Sequence, residues 1–463
     1  VQPSGAIHGF HNHSVWGGNP YRWADYTCMH TTWASPFLAG LARALAHQPD
    51  KRGQKLLETM LDFQLNRVQP NGQYWHVGFQ VGELLQSALI HNAIVDLSLG
   101  QVVHALGDRL PEDLLSRIRD RILDNMRALE FYGGGRPEAA STCCNQDYAR
   151  IWAKLLFQSF FEDNRWRDEL VRDIEFMIER FHVPGLPDAE SEGTWRSLSL
   201  ARAVEPAEYY GLMIGPLVLA SEIYKREDFF EHALSICRHV ARSAWTDNRG
   251  QRRFHRTWYN ESGRWRLMRE PMLISGMGDT LEGIATCLAR RDDDELREFL
   301  DDCDRTYAQY QNPRGYFAAA TGWQSEVDVA PSSAWHGHDF RYLVDRCELE
   351  ADFWDRFFAP CMRTSVLLGD QCCWVERGSH WAIADYMFSD VYKLVGRKDR
   401  ERFMRVVPSW IEENGTPEEL LFNDMPGFLK ADDAIILIEG NPAEIDVSSV
   451  SLLPWRVSEE LTP

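Results

Sequence analysis

Positive charge is scarce in this 463-residue chain: 49 Lys and Arg stand against 69 Asp and Glu, a net charge of −20. A field of that sign repels nucleic acid and anionic membrane, so neither is expected as a partner. Uninterrupted apolar runs of the length needed to cross a bilayer, about 18 residues or more, are missing, which excludes an ordinary membrane-spanning helix. Cysteine is sparse at 10 residues, no C-x-x-C occurs, and the adjacent pairs Cys143-Cys144 and Cys372-Cys373 are poorly placed to bond within themselves. Free, mostly buried thiols are the expectation. Also absent are the G-x-G-x-x-G turn, the G-K-[ST] phosphate loop, the G-x-S-x-G elbow, the H-E-x-x-H pair and the EF-hand loop. No cofactor and no metal is therefore expected. The first residue is Val1, which leaves cytoplasmic, periplasmic and secreted locations open, as composition leaves the oligomeric state open.

What is present is ordinary in bulk and unusual in its aromatics. Hydrophobic residues make up 44% and charged residues 25%, enough for a large soluble core, while 17 Trp exceed what a core needs. Surplus flat rings suit a concave site, because they bury area with few rotors to freeze.

Helical periodicity recurs in pairs. The spacing predicts helices near 33–47 and 53–66, 80–106 and 111–130, 145–161 and 166–182, 207–224 and 227–243, 272–290 and 293–311, and 380–396 and 398–413. A less regular helix near 351–367 belongs to a further hairpin. Connections within a pair are short and polar, as at Tyr224-Lys225-Arg226-Glu227-Asp228; those between pairs are long (67–79, 131–144, 183–206, 244–271, 312–339 and 368–379). One hairpin cannot bury both of its faces, so an array of six or seven closes on itself. The expected fold is all-α, an (α/α)6 or (α/α)7 toroid forming one domain over 1–463. An N-terminal loop segment of about 1–30 and a C-terminal packing tail of about 415–463, including a short strand at Ala434-Ile435-Ile436-Leu437-Ile438, flank it. Every long connection would then emerge at one end, where a site is expected.

Several clusters in those connections carry chemistry. Residues 249–270 hold seven arginines, Arg252 and Arg256 among them, interleaved with His255, Trp258, Tyr259 and Trp265. This local inversion of sign suits a carboxylate bound by guanidinium forks and a sugar stacked on aromatic faces. Asn145, Tyr148 and Arg150 open a predicted helix after the Gly133-Gly134-Gly135 loop, where Asn145 serves either as a ligand to a substrate carboxylate or as a plain helix cap. Trp75, His76, Trp195, Trp323, Trp335 and Trp374 are expected on the rim or floor of the cleft. The string His336-Gly337-His338-Asp339, placed ahead of a helix, has the residue types of a metal site but suits a hydrogen-bonding role better. Glu190, Glu192, Glu326, Asp328 and Glu376 are candidate acids for glycoside hydrolysis, which needs two carboxyl groups across the scissile bond.

Taken together, the hairpin array and its aromatic, polar loops resemble the carbohydrate-active (α/α) toroids, among them the six-hairpin glycosidases and the toroidal polysaccharide lyases, over roughly residues 20–415. Arg377-Gly378-Ser379-His380-Trp381 looks like the R-G-x-x-W stretch of unsaturated uronyl hydrolases, in which Arg and Trp hold the uronic acid, although Trp374 stands one position farther off than in that family and the stretch falls late in the chain. The resemblance implies an oligo- or polysaccharide substrate and, first, a lyase cleaving a uronate glycan by β-elimination. In that reading Asn145 with Arg150 or a nearby arginine neutralises the carboxylate, and His255, Tyr259 and Tyr148 supply base and acid. Arg252, Arg256, His336, His338, Glu376 and Arg377 join the tryptophans in binding substrate. A glycosidase using a carboxylate pair is the alternative; an isomerase or dehydratase, which Cys143 and Cys144 would suit as thiol assistants, and a pure binding module follow.

Overall fold

A computed structural model describes residues 35–66, 68, 72–74, 89–131, 144–181, 205–246, most of 250–273, 276–307, 320–321, 336–358, and the strands within 362–377 and 428–454. Its described helices fall into six consecutive pairs: α1 (Ser35–His47) and α2 (Lys51–Asn66), α3 (Leu89–Leu106) and α4 (Glu112–Phe131), α5 (Cys144–Phe161) and α6 (Arg167–Phe181), α7 (Gly211–Tyr224) and α8 (Glu227–Ser243), α9 (Met277–Arg290) and α10 (Asp294–Tyr307), α11 (His336–Arg346) and α12 (Phe353–Phe357).

The two members of a pair differ in the way their positions demand. In α6 the buried residues Leu170, Asp173, Ile174, Met177 and Phe181 form one stripe at three- and four-residue spacing, as in a helix that faces a core on one side. In α3 nearly every residue is buried, so it lies inside a layer of other helices. Residues 89–109 are apolar enough to span a bilayer by composition, yet 83% of that window is enclosed by protein. The odd-numbered helices pack on one another in sequence, α1 on α3, α3 on α5, α5 on α7, α7 on α9 and α9 on α11, and α11 returns to α1. Each of α2, α4, α6, α8 and α10 backs its own partner. The fold is an (α/α)6 toroid.

Close approach between inner helices relies on glycine. A Cβ on Gly211 would lie 2.1 Å from the carbonyl oxygen of Asp279, and one on Gly337 would lie 2.6 Å from the backbone nitrogen of Phe37. Arg341 is buried where inner helices meet. It extends from α11, donating to Gln101 of α3 at 2.7 Å and sitting 6.0 Å from the Trp152 ring of α5.

The sixth pair departs from expectation. His336–Arg346 is itself the sixth inner helix and not the end of a connection; its polar face is buried because ring closure surrounds it, a fact that its composition does not carry. The helix expected over 351–367 shrinks to α12 and then becomes strand. Five strands, β7 (Met362–Leu368), β8 (Gln371–Arg377), β9 (Phe428–Ala431), β10 (Ala434–Glu439) and β11 (Leu453–Pro454), form an antiparallel sheet in the order β11-β8-β7-β10-β9. The segment expected as a long connection at 368–379 is thus mostly strand β8. Pairing over seven residues with β7 satisfies its backbone, and side chains such as Trp374 and Val375 favour an extended chain. The expected strand at 434–438 is present as β10. The helix pair expected over 380–413 lies outside the described residues.

Four short strands and two longer ones decorate the ring-forming stretch: β1 (Trp245–Thr246) with β2 (Arg252–Arg253), β3 (Thr257–Glu261) with β4 (Arg264–Met268), and β5 (Met272–Leu273) with β6 (Ala320–Thr321). Residues 272–273, expected as the first turn of a helix, belong to β5. The β3–β4 hairpin turns at Ser262 (φ 53°) and Gly263 (φ 84°), the paired left-handed conformation that matches strand twist.

Candidate functional site

Each inner helix follows a long connection and precedes a short turn, so the N-terminal ends of all six gather at one end of the ring. Buried polar side chains concentrate there: His91 and Asn92 at the start of α3, Asn145 in α5, Glu205 and Glu208 ahead of α7, Asp279 and Thr280 in α9, and His338 and Asp339 in α11. Packed helix N-termini favour negative charge, and carboxylates at this end answer them. Glu205 is one of these: its Oε1 accepts from the Cys144 backbone nitrogen at 3.1 Å and from its thiol at 3.3 Å, capping α5 from a distant segment. Asn145 is therefore not the cap. It lies inside the first turn, 8% exposed, and its Oδ1 has no partner among the described residues.

A cluster of rings stands beside it. His255, just ahead of β3, is fully buried, with its ring 5.2 Å from that of His239 on α8 and 6.1 Å from that of Tyr210. Both nitrogens of His255 and the hydroxyl of Tyr210 are buried without a hydrogen-bond partner among the described residues. Orphaned polar atoms of this kind are rare and costly, and they gather where a ligand completes the bonding. Burial, with His239 adding to it, holds the imidazole of His255 well below the usual histidine range, so it stays neutral. Burial raises the hydroxyl of Tyr210 well above the usual tyrosine range, with Glu205 and Cys144 contributing, and burial raises Tyr148 in the same way, with Cys144 contributing. Both tyrosines are proton donors here and not bases.

A second cluster adjoins the first. Thr280 Oγ1 donates to the carbonyl of Ala207 at 2.8 Å and accepts from the nitrogen of Gly211 at 3.0 Å, tying the start of α7 to the start of α9. One residue earlier, Asp279 Oδ2 lies 2.7 Å from Nδ1 of His338, and its other oxygen pairs with Arg341. Burial opposes ionisation of Asp279, but His338 and Arg341 outweigh it and hold the carboxyl below the usual range. The second acidic partner of Arg341 is Glu282, which also pairs with Arg43. The Asp279 carboxylate stands close to Nδ1 of His338 without an aligned hydrogen bond to it.

Of the residues singled out in the sequence, Asn145, Tyr148, His255 and His338 are thus brought to this end. Three others are placed elsewhere. Arg150 is completely buried between α5 and α6, 2.9 Å from Asp173 and 3.6 Å from Glu169, because a guanidinium in the interior requires carboxylates. Arg252 lies over the Phe299 ring of α10 at 5.4 Å and donates to the Ala241 carbonyl at 3.3 Å, packing on outer helices. Tyr259 stands on β3, and among the described residues the ring contacts of His255 are with His239 and Tyr210 and not with Tyr259. The chain is extended here, and Trp258 turns toward His239 and packs with Trp265 and Leu267. Its strand neighbour Tyr259 accordingly occupies the other face, in register with Arg266. Trp374, Glu376 and Arg377 lie on β8, and His336 is the first residue of α11. Trp75, His76, Trp195, Arg256, Trp323 and Trp335 fall outside the described residues, as do Glu190, Glu192, Glu326 and Asp328.

The sequence reading passes over Glu205, Tyr210, His239, Asp279 and Arg341. Two signals were available: Glu205-Pro206-Ala207-Glu208 immediately ahead of an apolar run, and the three-residue spacing of His338 and Arg341 on one helix face.

No protein-family model matches the chain, and no curated protein matches it in sequence. Among solved structures it is similar to a sugar epimerase from a ruminal bacterium, with a TM-score of 0.56 at 10% identity, covering 75% of this chain and 94% of that one. It is similar to the cellobiose 2-epimerase of Bacillus thermoamylovorans, with a TM-score of 0.54, 10% identity and the same coverages of 75% and 94%. A family 76 glycoside hydrolase (mannosidase) from Bacteroides thetaiotaomicron follows at a TM-score of 0.49 and 9% identity, covering 74% and 92%. With its six closed hairpins, the chain has the (α/α)6-toroid fold that the two epimerases also have.

Proposed function

We propose that the protein is a carbohydrate-active enzyme that moves a proton at a sugar carbon next to a carbonyl, with epimerisation as the reading that the geometry supports best. One observation carries it: His255 is buried, neutral and, among the described residues, unpartnered at both nitrogens beside the protonated Tyr210. An uncharged base in a water-poor site takes a C–H proton adjacent to a carbonyl, and a nearby hydroxyl or amide donor stabilises the enediolate oxygen. Asn145 as well as Tyr210 supplies such groups. Return of a proton to the opposite face needs a second group, and His338, close to Asp279 of the neighbouring helix, suits it. Similarity of fold to two sugar epimerases supports the same reading.

β-Elimination from a uronate glycan is the second reading. It begins with the same C–H step and is favoured by the exposed Arg264 and Arg266 on the Tyr259 face of the hairpin. It is weakened because Arg150 is engaged in the interior and Arg252 packs on outer helices. A reducing disaccharide such as cellobiose incubated with the protein in D2O separates the two. Epimerisation places deuterium at carbon 2 and yields the epimer. Elimination instead generates an ultraviolet-absorbing unsaturated product from a uronate oligosaccharide. His255→Ala should lower the operative rate by about 10²–10⁴-fold, whereas Tyr259→Phe should leave epimerisation near wild type. Exchange at carbon 2 that survives His255→Ala would overturn the assignment.

A further inference from the structure

Away from the two histidine clusters, one buried acid is engaged with a turn of the chain and, among the described residues, not with any cation in direct contact. Asp96 is fully buried on α3. Its Oδ1 accepts from the hydroxyl of Tyr74 at 2.8 Å and its Oδ2 from Nδ2 of Asn125 on α4 at 2.6 Å. Tyr74 is held a second time, its backbone nitrogen donating to Oδ1 of Asn92 at 3.0 Å, one helical turn before Asp96. Arg121 of α4 completes the enclosure. It donates to the carbonyl of Gly72 at 2.7 Å and lies over the Tyr74 ring at 5.6 Å. A bridge between Val68 and Tyr74 closes the turn on itself. The turn is thus fastened to α3 at the end where the inner helices begin, directly before Trp75 in the chain.

We infer that Asp96 is a proton-sensitive latch: protonated, it holds Gly72–Tyr74 against α3 and α4, and its ionisation loosens that hold. The charged group acting on it among the described residues is Arg121, and the titratable one bonded to it is Tyr74; both favour the ionised form, and burial outweighs them. The balance leaves the carboxyl pushed up to about 7. Tyr74 itself, raised well above the usual tyrosine range by burial and by Asp96, remains a donor. The sign follows by linkage. A turn that opens returns Asp96 to water, where its carboxyl titrates near the ordinary value of about 3.9, so the closed form binds the proton more tightly. Closure is therefore favoured in acid and weakens as pH rises through neutrality. With those two values the closed-to-open ratio falls about tenfold between pH 6 and pH 8.

Hydrogen exchange of the full chain, read by mass spectrometry on peptides covering 68–74 and expressed as protection relative to the intrinsic rate at each pH, tests this directly. Wild type should lose about tenfold in protection between pH 6 and pH 8, while peptides of α8 stay level. Asp96→Asn, close in shape and permanently neutral, should keep the protection seen at pH 6 across the range. Should that variant fail to fold, Tyr74→Phe serves in its place. Loss of a donor that favours the carboxylate raises the Asp96 value, so the fall in protection should move to higher pH. A wild-type change below twofold, a fall that persists in Asp96→Asn, or a midpoint unmoved in Tyr74→Phe would overturn the latch. None of these outcomes depends on turnover, so they are independent of the proposed reaction.

Discussion

Arg341→Met removes one cation buried where inner helices meet and should be among the most damaging single substitutions on this chain. The guanidinium is 1% exposed and faces two carboxylates at once: Glu282 at 2.6–2.7 Å and Asp279. It also donates to Gln101 at 2.7 Å. Methionine fills comparable volume beside Trp152, so the cost is electrostatic and not a cavity. One buried anion, Asp279, and one partly buried anion, Glu282, remain, offset in part by His338 and by Arg43. Leaving a buried charge without its partner costs about 3–5 kcal/mol, a large share of the roughly 5–15 kcal/mol that holds a typical domain together. The pH dependence identifies the cause. In the wild type Asp279 and Glu282 are both held below the usual carboxylate range, burial opposing and Arg341 among the groups that outweigh it. Their contribution is present above the unfolded values and is lost as pH falls through the folded ones. Without Arg341 the folded carboxyls prefer to be protonated, so the deficit of the variant should be largest near pH 7 and shrink toward about pH 4–5. Urea unfolding followed by tryptophan fluorescence and circular dichroism at several pH values measures this. A loss below about 1 kcal/mol at pH 7 would refute the reasoning, since surface pairs are worth that little. So would a deficit that does not shrink in acid, or an Arg341→Met/Asp279→Asn double variant no more stable than the single one.

Three further outcomes are expected. Gly211→Ala should destabilise by about 3 kcal/mol or more, because its Cβ would meet the backbone of Asp279, whereas Gly250→Ala, with open space around it and φ of 79°, should cost only about 1–2 kcal/mol; equal losses in thermal melts would remove the close-approach argument. Glu205→Ala should cost about 1–2 kcal/mol through loss of the α5 cap, and Glu205→Gln, which keeps an acceptor, clearly less; denaturant titration would detect the difference, and its absence would count against the cap. Among the described cysteines, Cys347 is exposed while Cys144, Cys237, Cys287 and Cys303 are buried, and burial pushes the thiols of Cys237 and Cys303 well up. Iodoacetamide should accordingly modify Cys347 well before these four in the native protein, as peptide mapping would reveal; labelling of Cys237 or Cys303 at the same rate would contradict the packing.

How far the sequence discloses this molecule depends on whether a feature is local. The first five hairpins are legible because their apolar stripes and short polar turns are properties of neighbouring residues; α8 begins and ends at 227 and 243, where periodicity places it. The sixth inner helix is not, since 312–339 reads as a long connection ending ahead of a helix, and its last residues become interior only when α11 meets α1 and α9. The β7–β8 hairpin hides for a different reason. Gly369-Asp370 between two apolar, β-prone runs is a two-residue turn signal, and the expectation of continued helix pairing overrides it. At the site, residue types that draw attention by themselves include Asn145 at a helix start and His255 and His338, which the fold brings to one end of the ring. Their roles are not legible, because partnership is tertiary: Arg150 and Arg341 have the same side chain on inner helices, and only the fold assigns one to Asp173 and the other to Asp279.

The seam between α11 and α1 has a kinetic meaning. Gly337 lies against the backbone of Pro36 and Phe37, and Phe340 stacks on Phe37 with ring centroids 5.0 Å apart, so residues about three hundred positions apart must meet before the circle is complete. During synthesis at about 5–20 residues per second, α1 waits roughly 15–60 s for the helix that covers its flank. Throughout that interval the growing chain is an open arc with a sticky apolar face at each end, and a second arc offers the same complementary ends. Closure of one chain on itself then competes with head-to-tail joining of two, and the outcome depends on how crowded the nascent chains are.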